Sequence, residues 1–82
     1  MATLSVAAAR AEALFASLQQ PSDRLADGEV KAVVQATVRR LGLLGCACCV
    51  AQEFGDHPDT AAARMVWARK TVARTWPKRG AA

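Results

Sequence analysis

Proline at positions 21, 58 and 77 and glycine at 42 and 55 cut this chain into short pieces, and each piece between them carries apolar residues at helical spacing. No piece alternates apolar and polar residues as a half-buried strand would, and alanine, the best helix former, is the commonest residue at 19 of 82. The expectation is therefore all-α: a small single-domain bundle of four helices, with the last two forming an angled pair. The first helix takes about residues 3–20, with Leu4, Ala7, Ala8, Ala11, Leu14, Phe15 and Leu18 on one stripe. Pro21 stops it. The second runs over 27–41, with Asp27 as N-cap, Val30, Val33, Val34, Thr37, Val38 and Leu41 inward, and Gly42 as a left-handed stop. The third covers 44–54, presents Cys46, Ala47, Val50, Ala51 and Phe54 to the core, and ends at Gly55. The fourth covers 58–76, with His57 as N-cap and Pro58 at its first position. Ala61, Met65, Ala68, Val72 and Trp76 make its buried side, and residues 77–82 form a basic, flexible tail.

The core this pattern offers is thin. Of 43 hydrophobic residues, 19 are alanine and three are cysteine, which leaves 21 Val, Leu, Met, Phe and Trp and no Ile or Tyr. Small domains bury too little surface to be comfortably stable alone. Either close packing on alanine suffices, or the chain self-associates. A homodimer made partly by the alanine edge of the first helix is the expectation.

Charge is unevenly spread. Residues 1–59 hold all seven acids and five Lys or Arg; residues 60–82 hold six Lys or Arg and no acid. A basic end suits an anionic partner, and it also complements the negative end of a helix dipole. On the fourth helix, Arg64, Trp67, Lys70, Thr71 and Arg74 fall opposite the apolar side, and Lys78 and Arg79 follow in the tail. A tryptophan among cations can stack on bases or anchor an interface. Arg64, Trp67, Lys70, Arg74, Lys78 and Arg79 are thus the candidate nucleic-acid-binding residues. The bland alternative is that Trp67 is covered by the first helix or a second subunit.

Other chemistries find little here. Cys46, Cys48 and Cys49 with His57 supply a Cys₃His count, but on a helix Cys48 points about 200° away from Cys46, and no second ligand pair exists. Cys46 reads as a small core residue, Cys49 as its edge and Cys48 as exposed. No metal, cofactor or small-molecule substrate is expected. His57, Asp56 and Asp59 sit at a helix start, where caps and acids are structurally useful, and no catalytic set forms around them. The longest uncharged run, Leu41 to Gln52, is twelve residues, too short to span a membrane. No secretory signal is recognised, so a cytoplasmic setting with reduced thiols is expected.

Val50-Ala51-Gln52-Glu53-Phe54-Gly55 followed by His57-Pro58-Asp59-Thr60 resembles the helix-turn-helix of small bacterial DNA-binding proteins. Ala51, Gly55 and Pro58-Asp59-Thr60 match that pattern. Asp56 stands where it places a buried aliphatic residue, Ala61 replaces Val or Ile, and Arg64 falls where another apolar residue belongs. The whole chain also resembles small Ala/Arg-rich helical proteins of high-GC actinobacteria that carry a Cys…Val-Ala-Gln-Glu-Phe-Gly-Asp-His-Pro segment. The first resemblance implies a nucleic-acid-binding accessory protein. The second implies a fold and no activity. The competing reading is a protein–protein interaction module, in which the carboxylate of Asp56 at the entry to the fourth helix meets no phosphate to repel it.

Overall fold

The computed structural model describes residues 5–77, and all of its elements are helical. Helix α1 spans Val6–Ala16, a single 3₁₀ turn covers Pro21–Asp23, α2 spans Asp27–Asp56 and α3 spans Pro58–Thr75. The start expected at residues 3 and 4, and the tail with Lys78 and Arg79, lie outside the described residues.

Ser5 caps α1, its side chain accepting from the Ala8 N–H at 2.9 Å. The helix ends at Ala16, earlier than the apolar stripe suggested. Ser17 is already extended, and its hydroxyl donates to the Leu14 carbonyl at 2.6 Å. That local bond competes with a further helical turn and leaves Leu18 84% exposed. The N-terminal part of the stripe is not buried either: Ala7 and Ala8 face solvent, and burial begins at Ala11.

Four separate helices become three, because residues 27–56 form one element with a kink. Gly42 makes the kink with φ 73° and ψ 166°. Its φ is positive, as expected of a helix-stopping glycine. Its ψ places it outside the left-handed helical region, in backbone space that essentially only glycine occupies. One residue redirects the chain, and the helix resumes without a loop. Three residues on, a side chain at Gly45 would bring its Cβ to 3.1 Å from the Leu41 Cβ, a tight contact to which Leu41 would have to yield. No atom crowds Gly42 itself, so Gly42→Ala isolates the backbone cost. It should destabilise the fold by about 1–3 kcal/mol in urea unfolding.

Two further local expectations change. Ala26, not Asp27, is the N-cap of α2, and Glu29 reaches back to accept from the Ala26 N–H at 2.9 Å. Gly55 does not end the second arm of α2; the break falls at His57, with φ −141° and ψ 68°. Pro58 causes it by disfavouring the α region in the residue before it. His57 ends α2 and precedes α3, but its side chain makes no cap bond.

The three helices meet around Leu14, Val30 and Cys46, which are fully buried. α3 supplies the largest share of the inner surface, with Ala61, Met65, Ala68, Thr71, Val72 and Thr75 all buried. The alanines Ala11, Ala13, Ala61 and Ala68 let backbones approach closely, which is how a chain with few large side chains closes a core. α1 and α3 run antiparallel: Phe15 lies by Arg64 at one end and Arg10 by Trp76 at the other.

Candidate functional site

The face of α3 expected to be free is largely enclosed. Thr71, placed there by helical periodicity, is buried, and Trp67 is half-buried against the core. The reason is the segment between α1 and α2, which crosses this face instead of looping away. Pro21, Arg24 and Leu25 of that segment share a shallow groove with Trp67, Thr71 and Arg74.

Arg64 is turned to the end of α1. Its Nε donates to the Phe15 carbonyl at 2.8 Å, and its Nη2 donates to the Ser17 and Gln19 carbonyls at 2.9 and 2.8 Å. A helix end leaves carbonyls without intrahelical partners, and a planar guanidinium with several donors satisfies them from one side chain. The guanidinium also lies 4.9 Å from the Trp67 ring centroid and 5.6 Å from that of Phe15. Phe15 stacks in turn on Phe54 of α2, with centroids 6.1 Å apart. Burial pushes the Arg64 pKa down from its ordinary value, with Cys49 and Glu53 opposing. Arg64 thus ties α1 to α3.

Arg74 performs a similar service for the start of α2. It donates to the Leu25 carbonyl at 3.1 Å and pairs with Asp27 at 3.3 Å. Thr75 donates to the same Asp27 oxygen at 3.4 Å. The ion pair is exposed and contributes about 0–1 kcal/mol. Of the four described candidates, Lys70 and Arg74 are exposed, and of these two Lys70 makes no such bond among the described residues. Arg69, which the sequence reading did not single out, is exposed beside it.

The cysteines sit as their spacing suggests: Cys46 buried, Cys49 half-buried, Cys48 exposed. Burial pushes the Cys46 thiol pKa up, helped by Cys49 and Glu12 and opposed by Arg40, so this thiol is a packing group.

The surface that stands out belongs to the second arm of α2, residues 43–56. The twelve residues from Leu41 to Gln52 carry no charge, yet only Cys46 among them is buried. Leu44 is 77% exposed and Leu43 50%, and Cys48, Ala51 and Gln52 are also exposed. Positions 44, 48 and 51 share one helical face. The signal for this surface was present in the sequence as the longest uncharged run; Cys48 was expected outside, and Ala51, expected in the core, is exposed with it.

Comparison with family models, with curated proteins and with solved structures finds no match. The arrangement of the chain's own residues is therefore the basis for any functional reading.

By length and composition α2 is apolar enough to cross a membrane, with a best 18-residue window of mean hydropathy 1.4. Every 18-residue window within Asp27–Asp56 contains Arg39 and Arg40, since none can start later than residue 39. Two adjacent arginines in such a span are costly.

Proposed function

We propose that this chain is a non-enzymatic interaction module that self-associates through the uncharged face of the second arm of α2. One observation carries the reading: an exposed helical face bearing Leu44, Cys48 and Ala51 within a stretch without charge. Exposed apolar surface of this kind marks an interaction site. A second copy suits it well. A two-fold axis sets the same patch against itself, so a neutral patch meets no like charge and loses no ion to desolvation. Cys48 and Ala51 are small enough to let two such helices approach closely. This face replaces the alanine edge of α1 as the dimer surface.

The alternative is a nucleic-acid-binding accessory protein that uses α3. It is supported by exposed Lys70 and Arg69 and by the basic sequence that follows. Against it stand Arg64 and Arg74, whose donors hold carbonyls and a carboxylate of their own chain.

Sedimentation equilibrium from about 1 to 100 μM separates the two. The expected result is a monomer–dimer equilibrium that Leu44→Asp shifts to monomer without loss of helical circular dichroism. A short bis-maleimide should cross-link the wild type through Cys48 and fail with Cys48→Ser. A monomer at all concentrations would defeat the proposal. Saturable binding to duplex DNA that weakens steeply with salt would support the alternative.

A further inference from the structure

The N-terminal half of α1 and the C-terminal half of α3 do not close on each other. Between them lies an open groove of about 350 Å³. Its walls are Ala7, Ala8 and Ala73, whose single methyl groups are too short to fill the space between them, and buried Ala11 and Val72 form its floor. Trp76 forms one end, and Arg10 and Arg69 stand on the rim. The Arg10 guanidinium carbon is 4.1 Å from the Trp76 ring centroid, and the Lys31 ammonium is 6.0 Å from it on the α2 side. Among the described residues no acidic side chain lines the groove.

We infer that this groove binds a small amphipathic carboxylate, one with a flat or slender apolar body about one or two rings in size. The volume lies at the low end of small-molecule sites, about 300–1,000 Å³. The apolar body fits along the alanine walls and against the indole of Trp76. Arginine suits the charged end, because its planar fork matches a carboxylate in a bidentate pair. Arg69 is exposed and Arg10 lies over the indole, and both line the groove, so a carboxylate at the rim has an arginine to pair with. Arg10 and Lys31 lie over one tryptophan and Arg69 stands on the same groove, and with no counter-charge among the described lining residues they favour an anion over a neutral or cationic ligand of the same shape. The site shares no residue with the proposed self-association face and does not depend on it.

The test uses the full chain and three ligands of one shape: 2-naphthoate, 2-naphthalenemethanol and 2-naphthylmethylamine. The readout is the indole N–H cross-peak of Trp76 in a proton–nitrogen correlation spectrum. The chain has two tryptophans, and Trp67→Phe assigns the two peaks. Naphthoate is expected to shift the Trp76 peak saturably, with the alcohol at least about tenfold weaker and the amine weaker still. Arg69→Gln should weaken naphthoate about tenfold, the effect of losing one charge-assisted hydrogen bond, and should leave the alcohol unchanged. Ala73→Leu fills the groove from an exposed helical position and should abolish binding while helical circular dichroism stays the same. Equal binding of naphthoate and the alcohol would overturn the inference, as would no shift of Trp76 by naphthoate at millimolar concentration. Naphthoate binding that survives Ala73→Leu would place it elsewhere and also overturn the inference.

Discussion

Met65→Asp is expected to unfold the domain. Met65 lies on the inner side of α3 and is buried in the cluster formed with α1 and α2. A carboxylate there has no cation to pair with in that apolar cluster, and an uncompensated buried charge costs about 3–5 kcal/mol. Marginal stability of about 0.05–0.15 kcal/mol per residue gives a domain of this size only about 4–12 kcal/mol in total. The thinness of the core puts this chain toward the lower part of that range. Circular dichroism at 25 °C should show most of the helix lost. Met65→Leu, which keeps volume and apolarity, should cost less than about 1.5 kcal/mol. A folded Met65→Asp protein with native helicity would show that α3 does not form the floor of the core.

Arg64→Ala is expected to be the most damaging change at any charged position. It removes three hydrogen bonds at once, to the carbonyls of Phe15, Ser17 and Gln19. Those carbonyls lie where α1 has ended and no further turn can satisfy them. Hydrogen bonds from a charged donor contribute about 1.5–3 kcal/mol each, and water replaces part of what is lost at a half-buried site. A net loss of about 3 kcal/mol in urea unfolding is the expected outcome. Arg64→Lys should recover less than half of it, since an ammonium on a flexible stem does not reproduce a planar fork. The acceptors are neutral carbonyls, so the loss should be nearly the same at 0.05 and 0.5 M salt. A residue whose role was to contact phosphate would show the opposite pattern: little change in stability, and a large salt-dependent change in binding.

Arg64 also shows where sequence reasoning reached and where it stopped. Periodicity placed it correctly on α3, away from Met65 and Val72. It could not say what lay opposite, because that depends on how the segment from Ser17 to Ala26 crosses the face. The same crossing explains Thr71 and Trp67, which helical geometry set on the outer side and the tertiary arrangement covers. Helix type was legible throughout, because alanine content and 3.6-residue spacing are local properties. The bend at Gly42 was legible as a glycine with positive φ, but its continuity was not: the same residue can end a helix or redirect one, and only the chain that follows decides. The burial order of the three cysteines followed from 100° per residue alone. Ala51 was misjudged as core, because the second arm of α2 meets the bundle through Cys46 and Val50 and leaves Ala51 outside. Phe54, 38% exposed, touches the core by stacking on Phe15.

The dominance of α3 has a consequence for how the protein is made. α3 is the last of the described helices in chain order, and it carries more buried residues than either of the others. During synthesis α1 and α2 therefore emerge without the surface they pack against. Arg64 and Arg74, which fasten the end of α1 and the start of α2, arrive later still, from 45 to 49 residues downstream of the groups they hold. Without α3, Leu14 and Val30 lack one wall of the cluster that buries them, and the second arm of α2 adds its own uncharged surface. A free chain ending at about Pro58 should thus be a substrate for chaperones that recognise apolar segments, and the chain that includes α3 should not.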